Sequence, residues 1–336
     1  MGMKIEEVDR CQINEWYPKF KGVSFKTIIH ELPESFVEYL NDSVPFILPT
    51  SSVAEDALPN RIHNPYDEDD FQVVEGSEDE AEYVAPPSFP ELDQYVKKSI
   101  DSLGGAVIPK LNWSVPKDTA WISSTGTLKC TSFSEIVLLL RSSDSLDHDL
   151  CHAYDSCDDK TSTRPSKFVL ALRKWYRTLR PEMEFRCFVR CHNLVGISQR
   201  EVTGFYPALV EEKDAIRASI CRFFSENIKQ QFESKDYTFD VYVKSNGLVK
   251  LVDFNPWGRS TIPLLFDWED LENINPNEEN LATDFRIIEN QCIVRPGLKT
   301  AVPFDYLDTS EGSGWDEFLR KAAQSQQQTK FPEAGA

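Results

Sequence analysis

Residues Thr238–Asn255 read TFDVYVKSNGLVKLVDFN. Two apolar runs, Thr238–Val243 and Leu248–Phe254, flank Ser245-Asn246-Gly247. Asn-Gly between such runs is the strongest short hairpin signal, because a two-residue type I′ turn needs positive φ at both positions. With Asn246 and Gly247 as the loop, Ser245 pairs with Leu248, and Asp240 comes to lie directly opposite Asp253. Asn255 is two residues beyond Asp253 on the same strand, so all three polar side chains share one face.

Carboxylates opposed across a ladder repel each other. Their neighbours here are Phe239, Val241, Val243, Leu251, Val252 and Phe254, which desolvate both acids and sharpen the repulsion. Two carboxylates and an amide oxygen on a rigid hairpin suit a hard cation with oxygen ligands, typically Mg²⁺ shared with phosphates. The alternative is a pair of acids on a wet face, separated by a slip in register.

The cations lie nearby in the chain. Residues 167–200 hold eight Lys and Arg (167, 173, 174, 177, 180, 186, 190 and 200) against two Glu. Arg186 lies between Phe185 and Phe188, and Arg173-Lys174 end the run Val169–Leu172. Lys110 follows Ala106-Val107-Ile108-Pro109 and precedes Trp113. Cations in apolar strands need partners, and a polyphosphate with its metal supplies them: Arg grips phosphate bidentately and Lys acts as a point charge. For Arg177, Arg180 and Arg190, surface ion pairs are the expected use. No P-loop, G-x-G-x-x-G or kinase motif is present, so a phosphate site here is built from side chains on a sheet.

The whole chain has 336 residues and a formal charge of −19. That balance argues against general nucleic-acid binding and against anionic membrane surfaces. No run approaches a membrane span, and Met1–Arg10 is too charged for a signal peptide. The eight cysteines form no framework, so reduced thiols and a cytoplasmic setting are expected. His148, Cys151, His152 and Cys157 lack the paired spacing of a zinc site. Asp67–Glu82 carries nine carboxylates and no Lys or Arg and reads as a disordered linker, Ser77 included. Asp144–Asp159 carries six Asp and reads as a long polar loop. The residues after Thr309 read as a flexible tail with a short helix at Trp315–Gln324.

Elsewhere the spacing predicts helices at Pro90–Leu103, Ser132–Arg141 (capped by Ser132 or Ser134) and Ala208–Ile228. Strands are predicted at Ala106–Leu111, Phe168–Arg173, Met183–Cys191 and Leu194–Arg200, with Cys187 and Cys191 as buried thiols. Antiparallel hairpins in the second half favour a mixed α+β fold.

Several blocks resemble the cell division cycle protein 123 family: Pro109-Lys110-Leu111-Asn112-Trp113-Ser114 with Pro116-Lys117-Asp118 and Trp121; Leu172-Arg173-Lys174-Trp175; Glu184–Val189; Gly196–Arg200; and Val252–Pro256. Gln12–Gly22 is similar to the family's opening. The resemblance implies an ATP-grasp-like fold with a nucleotide clasped between two subdomains; outside the linker at 67–82 and the tail at 309–336, to which nothing of the resemblance extends, these are expected at residues 1–66 with 83–165 and at 166–308. It implies a monomeric, ATP·Mg-binding chaperone that acts on the gamma subunit of translation initiation factor two. It places Lys110 and Arg186 on phosphates, Arg173, Lys174 and Trp175 along the adenine edge, and Asp240, Asp253 and Asn255 on Mg²⁺. Trp113 joins the nucleotide set, and Asp118 faces either nucleotide or protein partner. The same site would also serve an ATP-grasp ligase that activates a carboxylate as an acyl phosphate.

Overall fold

The structure is a computed structural model that describes residues 3–42, 47–50, 86–258, 260–275 and 283–290. The acidic linker with Ser77, and the tail with its helix at Trp315–Gln324, lie outside the described residues. The chain is mixed α+β, as expected. In order it forms α1 (Ile5–Asp9), α2 (Ile13–Phe20), β1 (Thr27–Glu31), α3 (Glu34–Asn41), α4 (Pro90–Leu103), β2 (Val107–Lys110), α5 (Phe133–Arg141) and α6 (Asp144–Asp147). Then come β3 (Val169–Lys174), β4 (Glu184–Arg190), β5 (Asn193–Gln199), α7 (Pro207–Glu211), α8 (Lys213–Phe223), β6 (Tyr237–Val243), β7 (Val249–Pro256), α9 (Trp268–Asn273) and β8 (Asp284–Arg286).

Two sheets organise the fold. An antiparallel sheet runs β1-β3-β2, and a five-stranded sheet runs β7-β6-β4-β5-β8, with only β8 parallel to its neighbour. β3 is the centre of the small sheet, so the subdomain boundary expected at 166 falls ahead of a strand that pairs backwards, with β1 and β2. Leu170 and Leu172 on one face of β3 join α3, α4 and α5 in one core; Val169 and Ala171 on the other face join the core of the large sheet.

Helix α4 matches its expected limits. Proline opens it, Leu92, Val96, Ile100 and Leu103 are buried, and Gly104 stops it at φ 97, a left-handed position that only glycine adopts freely. Ser132 caps α5: its hydroxyl accepts from the Glu135 N–H at 3.2 Å. The expected helix 208–228 is broken. α7 ends at Glu211, α8 restarts at Lys213, and Phe224–Ile228 forms a wider turn. Apolar period reports which side faces the core, and Leu209, Ile216, Ile220 and Phe223 all do; it does not report whether the backbone turns are continuous.

Asp144–Asp159 is a correction. The segment is ordered, and Asp149 is buried. Its carboxylate accepts from the Ser114 N–H and hydroxyl, both at 2.8 Å, and from the Trp113 N–H at 3.3 Å. A count of charges cannot tell a solvated acid from one that serves as a buried acceptor. In the same segment Cys151 engages Asn41 and His152 pairs with Asp155. Cys191 is also corrected: it is exposed at the β4–β5 turn, with φ 47, whereas Cys187 is buried.

Candidate functional site

The hairpin that opens the argument forms, with a different turn. The loop has three residues: Lys244 N–H donates to Leu248 O at 2.9 Å, Gly247 N–H to Lys244 O at 2.8 Å, and only Gly247 has positive φ. Val241 therefore pairs with Leu251, one residue off the expected register. A β-bulge at Val252 then restores it, so that Asp240 pairs with Asp253 and Thr238 with Asn255. A three-residue loop with left-handed glycine is the next commonest hairpin connection, and a bulge adds one residue to one strand. The two one-residue offsets cancel, and the opposed acids stand as expected.

Cross-strand partners share a face, so the pairing extends the pair into a row. Asp253 lies beside Asp240, Asp240 beside Arg186, Arg186 beside Ser198, and Ser198 beside Arg286. The row crosses all five strands on one face of the large sheet. The opposite face carries Phe185, Cys187, Phe239, Val241, Leu251 and Phe254 in the core, under α8 and the residues of α2.

Each acid of the row is already matched. The Arg186 guanidinium grips Asp240 with two bonds, Nε to Oδ1 at 2.8 Å and Nη2 to Oδ2 at 2.9 Å, and Arg200 Nε adds a third to Oδ2 at 3.1 Å. Burial alone would raise the Asp240 carboxyl; Arg186 and Arg200 outweigh it and hold it well below the usual carboxylate range. Lys110 reaches from β2 and donates to Asp253 Oδ2 at 2.7 Å and to Trp113 O. Lys110 is 1 % exposed, Asp240 2 %, Arg186 6 % and Asp253 9 %. The Lys110–Asp253 pair ties the two sheets together.

Three further charges face the row. Arg200 also meets Glu184 at 3.3 Å. Burial, with Arg200 and Arg186 close by, pushes the Lys117 ammonium down to about 8, although Glu184 and Asp240 pull the other way. Burial depresses Arg173 despite Asp253 and Glu184 nearby, and its Nε has no hydrogen-bond partner. At the Asp253–Asp240–Arg186 end of the row, five cations (Lys110, Lys117, Arg173, Arg186 and Arg200) thus lie among three carboxylates (Glu184, Asp240 and Asp253), while Arg286 at the other end is paired with Asp270 and Asp284. Such an excess, partly desolvated, suits a polyanion.

The residues also fit a divalent cation. Among the described residues no three His, Cys, Asp or Glu side chains cluster as a metal site, but two carboxylates plus an amide oxygen are a hard-ligand set that needs no third acid. Asn255 Nδ2 is buried without an acceptor. Amide nitrogen and oxygen are interchangeable by a flip, and an oxygen in that place would serve a cation beside Asp253.

Not every expected residue converges here. Lys110, Arg186, Asp240, Asp253, Asn255 and Arg173 do. Lys174 follows Arg173 on β3 and so points to the opposite face, its ammonium 5.8 Å from the Tyr176 ring. Trp175 is half-buried and its N–H bonds Ala106 O at 3.0 Å. Trp113 donates its indole N–H to Val8 O at 2.9 Å and packs edge-on against Tyr154. Asp118 accepts from the Ser143 hydroxyl at 2.6 Å and the Ser145 N–H at 3.2 Å, anchoring α6. Lys117 and Arg200 were not singled out from sequence. Both stand in the quoted blocks, and Arg200 in the cationic run, but nothing in their spacing aims them at Asp240.

The family model described as D123 matches residues 16–310. A Xenopus tropicalis protein named translation initiation factor eIF2 assembly protein is 40% identical over 318 residues, covering 92% of this chain and 93% of its own. The cell division cycle protein 123 of Candida glabrata is 36% identical over 317 residues, covering 90% of this chain and 87% of its own. The solved structure of Cdc123 from Schizosaccharomyces pombe superposes with a TM-score of 0.68 at 33% identity, over 86% of this chain and 99% of that one. The chain therefore belongs to the D123 family, the cell division cycle protein 123 family that its sequence blocks resemble.

Proposed function

We propose that this chain is an ATP·Mg-binding assembly chaperone for translation initiation factor two, acting as a cytoplasmic monomer on the factor's gamma subunit. The observation that supports it most is the polar row across the large sheet, with its excess of cations. Lys110, Arg186, Arg200 and Lys117 bind the polyphosphate, and Asp240, Asp253 and Asn255 hold the cation. The nucleotide lies between the two sheets in the ATP-grasp manner, with Arg173 and Trp175 toward its base. Lys174, Trp113 and Asp118 support the frame through α4, α1 and α6. Bound Mg²⁺ supplies charge neutralisation between carboxylates and phosphates. The names of relatives that cover over nine-tenths of their own length support the assembly role.

A pull-down of the gamma subunit with the purified chain tests the partner: retention is expected, and loss of retention at every nucleotide state would overturn it. A pH series tests the phosphate assignment. With its ammonium pushed down to about 8 by burial, Lys117 is half deprotonated near that pH, whereas a bound phosphate favours the charged form. Binding is then accompanied by proton uptake above pH 8, so affinity falls as pH rises. The expected loss is up to about tenfold per pH unit, and Lys117→Arg should flatten it. An affinity constant from pH 7 to 9.5 in the native chain would remove Lys117 from the site.

A further inference from the structure

The ion pairs of the row have a consequence for which ligand the site admits. Asp253 and Asp240, the acids suited to a divalent cation, are bound by Lys110, Arg186 and Arg200, the groups suited to phosphate. Both sets are buried or nearly so. A free polyphosphate that drew Lys110 away would strip Asp253, 9 % exposed, of its hydrogen-bonded cation and leave it only the longer-range field of Arg173 and Arg200. A free divalent cation that took Asp240 would leave two guanidinium groups facing each other and the metal. Removing one partner of a buried pair is costly because the other charge stays behind. When cation and polyphosphate arrive together, partners are exchanged and no charge is stranded.

We propose that these pairs act as a counter-ion lock that makes the site selective for the metal-complexed nucleotide over either component alone. The inference rests on the nucleotide reading given above. The coupling is reciprocal: the metal raises nucleotide affinity by the same factor by which the nucleotide raises metal affinity. Lys110 and Asp253 set most of this preference, because their buried ion pair joins the two sheets and no second cation is bonded to the same carboxylate. Asp240 keeps Arg200 when Arg186 turns away; Asp253 has no such substitute bonded to it.

The test is calorimetry of the full chain with three probes: ATP in EDTA, Mg²⁺ alone, and ATP with excess Mg²⁺. For the native protein the metal should raise ATP affinity about a hundredfold, the upper part of the usual coupling range. Asp253→Asn keeps the shape and frees Lys110. It should bind ATP in EDTA about tenfold more tightly than the native protein, while Mg²⁺ adds less than about tenfold. A carboxylate that only ligated metal would give no gain in EDTA. Native thermal stability supplies a readout free of any variant: at equal ATP concentration the midpoint should rise clearly more with Mg²⁺ than in EDTA. Equal stabilisation by ATP in EDTA, or no gain for Asp253→Asn, overturns the lock. Absence of binding to all three probes overturns the nucleotide reading itself.

Discussion

Lys110→Ala is expected to lower stability by about 3–5 kcal/mol in denaturant unfolding, the loss typical when one member of a buried ion pair is removed. Lys110 is fully enclosed and donates to Asp253 and to Trp113 O. Its loss leaves a buried carboxylate with the Phe254 N–H at 3.1 Å as its one remaining hydrogen-bond donor among the described residues. It also removes the tie between β2 and β7. The size of the effect comes from the stranded charge and not from the net worth of the pair. The double variant Lys110→Met with Asp253→Leu, which removes both charges, should therefore recover most of the loss. A double variant as unstable as Lys110→Ala would show that packing, and not charge, sets the cost.

Phe254→Ala should cost a similar amount, about 3–5 kcal/mol, as expected for truncating a buried aromatic. Phe254 is the hub of the large core. Its ring stacks on Phe232 at 4.0 Å and 4°, and meets Trp16, Phe20, Tyr237 and Phe239 at 5.2–6.2 Å. It also stands between Asp253 and Asn255 in the chain, on the opposite face. The packing of one face thus fixes where the two metal-suited side chains of the other face point. Phe254→Leu, which fills more of the volume, should keep most of the stability, losing less than about 2 kcal/mol. If Phe254→Ala cost under 1 kcal/mol by the same unfolding measurement, the core would not hold the site as described.

The two faces of β7 differ in how much could be read from sequence. Alternation made the apolar face and the shared face of Asp253 and Asn255 legible, because period two is a property of the backbone; Asp240 stands opposite Asp253 as expected because two one-residue offsets cancel. The turn was not: Asn-Gly signals a hairpin, but the choice between a two- and a three-residue loop depends on the bulge at Val252, which only the packing of Leu251 and Phe254 decides. Arg186 could be placed as a cation within an apolar strand, and its partner follows from a strand pairing between β4 and β6 that no local signal specifies. Lys117 and Arg200 show the same limit: Arg200 bonds Asp240 from 40 residues away, and Lys117 lies within its electrostatic field from 123 residues away. Asp149 was hidden in a run of acids for a different reason. Its burial depends on Trp113 and Ser114, and composition carries no trace of that contact.

One titration bears most directly on the claim that the polar row is a metal–nucleotide site. Calorimetry of the purified chain with ATP in excess Mg²⁺ should give saturable binding of one nucleotide per chain. Arg186→Ala, which breaks the two-bond grip on Asp240 and removes a phosphate ligand, should weaken it at least about thirtyfold. Absence of heat in the native chain, or equal affinity in Arg186→Ala, would contradict the account.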